Sequence, residues 1–225
     1  MILLHSTNFL WGRSSVGRAS ALHVEGSQVR LLSPPPQKRL KMIIEKNKNI
    51  KIINNFLEPS EFDVLETLMT HESHSFPWVF VDGKSSSGED YFQFCHVFFE
   101  QWFCTDTFTV ILPIIKKLQS IAGVAALCRI KANLVTRTPK IVEFSMHIDM
   151  GDLDHDFERL GQWTTAIFYV NTNNGYTKFE NGEMVGSVAN RMVIFPANIP
   201  HTGTSCTDEK RRVVINFNYY KRFME

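Results

Sequence analysis

The sequence predicts an α+β fold that is mainly β, a double-stranded β-helix (jelly roll) supported by N-terminal helices. Three observations predict it. Short apolar runs crowd the C-terminal half, separated by the hairpin signals Asn173-Asn174-Gly175 and Asn181-Gly182. Closely spaced strands of this kind suit a closed or double-sheet β architecture. Two apolar stripes of helical period precede them, and the 18 Phe fit a β-rich core.

A chain of 225 residues suits one domain with a full hydrophobic core. The formal net charge of +1 and a pI near 7.7 lack the basic excess of a nucleic-acid footprint. The four cysteines, Cys95, Cys104, Cys128 and Cys206, form no C-x-x-C pair. Neither a zinc knuckle nor a disulfide framework is expected, and a reducing, cytoplasmic setting fits. No apolar run approaches the length of a membrane span, so no membrane partner is expected.

Residues 1–41 show no sustained period, and Pro34-Pro35-Pro36 breaks any helix or central strand. Several Arg and Ser with few acids give one reading, a targeting peptide. The phrases Ser14–Ala19 and Glu25–Arg30 resemble the conceptual translation of a transfer-RNA gene, which favours a misassigned start or an unstructured leader. A single domain is expected over 42–225, opening at Met42.

Ile50–Leu57 reads as a strand. Ser60 then caps a helix to about His71, with Phe62, Leu65, Leu68 and Met69 on one stripe. Trp78–Val81 reads as a short strand that turns at Asp82-Gly83. Lys84–Gly88 is a polar loop bordering the substrate entrance. Tyr91–Phe103 is densely aromatic and reads as core packing, with a pocket wall as the alternative. Thr107–Ala122 reads as a second helix with Pro113 in its first turn.

Cys128–Val135 alternates polar and apolar residues, as a half-buried strand does, and puts Asn133 and Val135 on one face. Glu143–Asp149 reads as a strand. Met150–Asp156 reads as a solvated rim loop, because it lacks the Gly and Glu that an EF-hand needs. Trp163–Asn171 is a strand with Thr165, Ile167 and Tyr169 on one face. Tyr176–Phe179 and Met184–Val188 form a hairpin, and Arg191–Phe195 leads to His201.

The chemistry gathers at His147-Ile148-Asp149. In a strand, residues i and i+2 share a face, so the imidazole and the carboxylate project together. Taken alone, such a tripeptide is more often a solvated pair. A second His would complete a 2-His-1-carboxylate triad, which leaves positions open and suits non-haem Fe(II). His201 is the candidate. About ten residues later Arg212 opens the β-branched run Arg212–Phe217, with Arg212, Val214, Asn216 and Asn218 on one face.

This ordered set resembles the Fe(II)/2-oxoglutarate-dependent dioxygenases, and within them the prolyl-hydroxylase-like branch. The resemblance spans roughly Ile130 to Tyr220. It rests on His147-Ile148-Asp149, Thr165–Asn171, Gly175–Phe179, Asn190–Pro196, Pro200–Gly203 and Arg212–Phe217. It implies an oxygenase that converts 2-oxoglutarate and O2 to succinate and CO2 while hydroxylating a substrate. Fe(II) would sit on His147, Asp149 and His201. Arg212 would pair with the far carboxylate of 2-oxoglutarate, helped by Tyr169, and ascorbate is a further candidate cofactor. A fork of N–H donors suits a carboxylate in a way that Lys does not match. Arg211 is the alternative to Arg212, since a one-residue slip swaps their faces. Val135 stands where relatives often place a Tyr.

Two other readings stay open. One is a cupin-like metalloprotein without 2-oxoglutarate, for which His155 would have to add a ligand. The other is a non-catalytic jelly-roll binding module. The substrate, a protein side chain or a small molecule, is not specified by the sequence.

Overall fold

In a computed structural model the chain is described at residues 43–46, 49–71, 76–84, 90–149 and 160–221. The expectations for residues 1–41, for the loop after Lys84 and for the 150–156 rim loop, His155 included, lie outside these residues.

Period-two patterning organises the domain into two antiparallel sheets. The larger holds β1 (Ile43–Lys46), β2 (Lys51–Asn54), β3 (Val79–Lys84), β4 (Asp90–Glu100), β5 (Phe103–Cys104), β6 (Val124–Thr136), β7 (Trp163–Tyr169), β10 (Arg191–Pro196) and β12 (Arg211–Lys221). Its order is β1-β2-β10-β7-β12-β6-β4-β3, with β5 on β4. The smaller runs β11-β8-β9, from His201–Gly203, Tyr176–Phe179 and Met184–Gly186. Successive strands change sheet between β7 and β8, between β9 and β10, between β10 and β11 and between β11 and β12. This is the jelly-roll path.

Each long strand of the large sheet buries alternate residues on opposite sides. Ala132, Phe168, Met192, Val213, Ile215 and Phe217 face one apolar cluster, and Ile167, Tyr169, Val193, Phe195 and Val214 belong to another. The first cluster is roofed by α1 (Pro59–Thr70) through Phe62, Leu65 and Met69, and by α2 (Leu112–Ala122) through Ile114 and Leu118. The second includes Phe179 and Val185 of the smaller sheet and so fills the space between the sheets.

Several local expectations change. Helix α1 starts at Pro59 with Glu58 as its N-cap, and Ser60 does not cap it. Proline fits the first helical turn, where its missing N–H is no loss. The second helix is preceded by a 3-10 turn, Asp106–Ile111, so its α-helical part begins only at Leu112. Strand β3 runs through Asp82-Gly83 to Lys84 instead of turning there, because the register with β4 continues to Lys84↔Asp90. Asn173-Asn174-Gly175 is a crossing from one sheet to the other, not a hairpin, since β7 pairs with β10 and β12 while β8 pairs with β9 and β11. Asn181-Gly182 does close the β8–β9 hairpin, and Gly182 takes the positive φ of 84° that such a turn requires.

The segment 143–149 is extended but is not a regular strand. It touches the smaller sheet through two isolated bridges, Glu143↔Thr204 and His147↔His201. Backbone bonds in both directions between His147 and His201, each 3.0 Å, hold it there.

Candidate active site

The two sheets enclose a pocket of about 430 Å3, within the roughly 300–1,000 Å3 range of ligand sites. His147, Asp149 and His201 meet on one side of it, with their ligand atoms all within 4.8 Å of one another. The backbone bridge between His147 and His201 brings the two imidazoles together, with ring centroids 4.9 Å apart. Asp149 follows two residues after His147. Its Oδ1 lies 3.5 Å from His147 Nε2 and 3.8 Å from His201 Nε2.

Hydrogen bonding fixes both rings. His147 Nδ1 lies 2.9 Å from the Ser145 carbonyl and His201 Nδ1 lies 3.2 Å from that of Ile199. A carbonyl only accepts, so each Nδ1 carries a proton, and each Nε2 faces Asp149, where it donates when the ring is protonated and offers its lone pair to a cation when the ring is neutral. The carboxylate is held in turn. Asn218 Nδ2 donates to Asp149 Oδ2 at 3.1 Å, and Arg129 Nη2 donates to the Asp149 carbonyl at 3.1 Å. Arg129 also donates to Asn218 Oδ1 at 3.4 Å. Two neutral imidazoles and one carboxylate, each oriented from behind, fit a divalent metal of the Fe(II) type.

Electrostatics agree. Burial pushes the Asp149 carboxyl up, but hydrogen bonds from His147 and Asn218 and the charge of His201 outweigh it and hold it well below the usual range. The Asp149 hydrogen bond raises the His147 pKa, against the effect of burial. Burial lowers that of His201, which is 2% exposed.

Arg212 lies on another wall of the same pocket and is 4% exposed. Its Nε donates to Ser187 Oγ at 2.8 Å and its Nη2 to Thr177 Oγ1 at 3.3 Å. Both partners are neutral, and burial lowers the Arg212 pKa. Asp149 is the single carboxylate lining the pocket among the described residues. A buried guanidinium whose described hydrogen-bond partners are hydroxyls suits an anion, because an uncompensated buried charge is costly. Gly175 makes the room. A Cβ there would stand 2.7 Å from Arg212 Cδ and 2.7 Å from the Ser205 carbonyl.

Arg211 points the other way and donates to the Thr70 carbonyl at the end of α1. Strand parity thus puts Arg212, not Arg211, in the pocket. Tyr169 does not line the pocket surface. Its ring packs under the guanidinium, 5.7 Å from Cζ, and its hydroxyl donates to Thr177 Oγ1 at 2.8 Å. The sequence reading missed Thr177 and Ser187. Thr177 stands in the Gly175–Phe179 run that carried part of the resemblance, whereas nothing local distinguishes Ser187. Asn133 and Val135 both line the pocket. The aromatic run divides. Phe98 is core, Tyr91 stacks on Phe144 at 4.6 Å in the pocket wall, and Phe92 and Phe103 are exposed.

No protein-family model matches the sequence, and no curated protein matches it. Solved structures do. An oxidoreductase of the 2OG-Fe(II) oxygenase family from Burkholderia pseudomallei superposes with a TM-score of 0.53 at 10% identity, covering 73% of this chain and 79% of that one. The fold is that of the 2OG-Fe(II) oxygenases. The non-heme alpha-ketoglutarate-dependent epimerase SnoN from nogalamycin biosynthesis gives 0.52 at 14% identity, over 77% and 76% of the two chains. A Pseudomonas putida prolyl-4-hydroxylase gives 0.50 at 12% identity, over 77% and 93%. The prolyl-hydroxylase-like branch is thus among the structural neighbours. Among the described residues no helix is long and apolar enough to cross a membrane.

Proposed function

We propose that the protein is an Fe(II)- and 2-oxoglutarate-dependent oxygenase that hydroxylates a substrate while 2-oxoglutarate and O2 become succinate and CO2. One observation carries this reading. A buried guanidinium without a carboxylate partner among the described residues and a convergent His-Asp-His set share one pocket. A ligand with a metal-chelating end and a distant carboxylate satisfies both.

His147 Nε2, His201 Nε2 and the Asp149 carboxylate would hold the iron. When bound, iron supplies the oxygen activation and the oxidative decarboxylation of the co-substrate. The remaining work falls to the chain. Arg212 and Thr177 receive the far carboxylate of 2-oxoglutarate. Tyr169 orients both from behind, through its ring under Arg212 and its hydroxyl on Thr177. Asn218 and Arg129 keep Asp149 aimed at the metal. Ile167 and Val214 line the pocket with apolar surface and limit water.

The test is succinate formation from 2-oxoglutarate by protein loaded anaerobically with Fe(II) and ascorbate and then exposed to air. Slow turnover without substrate is expected, dependent on iron and lost in His147→Ala and Arg212→Ala. Tight iron binding that ignores 2-oxoglutarate would instead mark a cupin-like metalloprotein. Binding of neither would mark a non-catalytic module.

A further inference from the structure

The pocket carries more positive charge than the proposed co-substrate can use. Three cationic side chains line it, Arg129, Lys131 and Arg212, against the single carboxylate of Asp149 among the described residues. Arg212 belongs to the far carboxylate of 2-oxoglutarate. Arg129 is tied to Asp149 and Asn218. Lys131 has neither commitment. On β6 it stands opposite Asn216 of β12, whereas Arg212 stands opposite Val135. Four residues of strand, roughly 13 Å, separate the two levels. Lys131 therefore lies well away from the backbone position that supports Arg212.

Among the described residues Lys131 makes no ion pair, and Arg129, two residues before it on the same face of β6, is another cation. The ammonium lies against the Cys95 thiol, whose pKa is raised by burial and pulled back by Lys131. Cys95 in turn donates to Asn133 Oδ1 at 3.3 Å. Across the strand, the buried Oδ1 of Asn216 has no hydrogen-bond partner among the described residues. Charge counting gives the same answer. A divalent metal, Asp149, Arg129, Arg212 and dianionic 2-oxoglutarate already leave one positive charge over before Lys131 is counted. The positive charge of Lys131 then remains unmatched at the pocket wall.

We propose that the organic substrate carries an anionic group, a carboxylate or a phosphate, and that Lys131 receives it. This rests on the oxygenase reading above. The substrate class is thus a small anionic molecule. Its flat or apolar part can lie along the stacked Tyr91 and Phe144 rings, which wall the same pocket.

The test uses the full chain loaded with Mn(II), a redox-inert stand-in, and saturating 2-oxoglutarate. Calorimetry then measures binding of three probes: hippurate, benzylphosphonate and the neutral hippuramide. At least one anion is expected to bind about tenfold or more tighter than the amide, the size of a charge-assisted hydrogen bond. Whichever anion is preferred identifies carboxylate or phosphate. Lys131→Met should erase the preference and Lys131→Arg should restore most of it, while 2-oxoglutarate affinity, which also reports folding, stays within about threefold in both. Equal binding of anions and amide, no binding of either anion, or a preference that survives Lys131→Met overturns the inference. So does a loss of 2-oxoglutarate affinity in Lys131→Met as large as that in Arg212→Met, because Lys131 would then serve the co-substrate. Failure of the wild-type protein to bind 2-oxoglutarate is a separate result, and it sinks the oxygenase reading itself.

Discussion

Strand β12 has two faces, and they do opposite things. Val213, Ile215, Phe217 and Tyr219 point into the cluster under α1 and α2, all at 0% exposure. Arg212, Val214 and Asn216 point into the pocket, and Asn218 holds Asp149 beside it. One face is apolar and interdigitated. The other carries a buried charge, an amide oxygen without a partner among the described residues and an outer support for the candidate metal ligand Asp149. Alternation along one strand thus separates stability from chemistry, and a one-residue slip would exchange them.

The contrast can be broken from either side. Phe217→Ala empties a fully buried ring site and should cost about 3–5 kcal/mol of stability, read from urea denaturation. Arg212→Met should do the reverse. Loss of a buried carboxylate–guanidinium pair should weaken 2-oxoglutarate binding by about 2–5 kcal/mol in calorimetry. The ligand-free protein should melt higher, because an uncompensated buried charge is gone. A lower melting temperature would show that Ser187 and Thr177 already satisfy Arg212.

Asn218→Ala should weaken metal binding about 10–100-fold, the usual effect of removing a ligand's outer partner, with little change in melting temperature. Tyr219→Phe sharpens the picture from the core side. The Tyr219 hydroxyl is buried without a hydrogen-bond partner among the described residues. Burial alone pushes its pKa above the ordinary tyrosine value. Removing the hydroxyl should raise stability by about 1 kcal/mol in the same denaturation assay.

The smallest effect concerns His96, on the helix side of β4 and outside the pocket lining. Its Nδ1 donates to the Pro77 carbonyl at 2.9 Å and its Nε2 accepts from Thr107 Oγ1 at 2.6 Å. Burial lowers its pKa below the ordinary 6.5. The unfolded chain then takes up a proton that the folded chain refuses, so stability falls as pH drops through about 6.5 and is unaffected by this residue above it. Urea midpoints at pH 7.5 and 5.5 should show a steeper decline in the wild type than in His96→Gln.

Much of this arrangement was legible in the sequence. The apolar runs marked the strands β7, β10 and β12, alternation told the two faces of β12 apart, and the order His147, Asp149, His201, Arg212 named residues that line one pocket. Some features were not legible, for identifiable reasons. Asn173-Asn174-Gly175 has hairpin composition, yet its flanking strands belong to different sheets, and a local turn signal carries no information on partners. Asp82-Gly83 likewise sits inside a strand because β4 continues to pair with it. Thr177 and Ser187 are ordinary polar residues in short strands until the smaller sheet folds over Arg212.

By itself, the sequence determined the periodicities, and with them which side chains share a face. This follows because side-chain direction in a strand is a local property of the backbone. The tertiary structure alone decided which faces meet. It put Arg212 rather than Arg211 in the pocket, placed Tyr169 behind the guanidinium and not at the pocket surface, and left the cation of Lys131 without a carboxylate partner among the described residues. Those outcomes depend on pairing between residues far apart in the chain, and on the burial that converts an ordinary side chain into one that needs a partner.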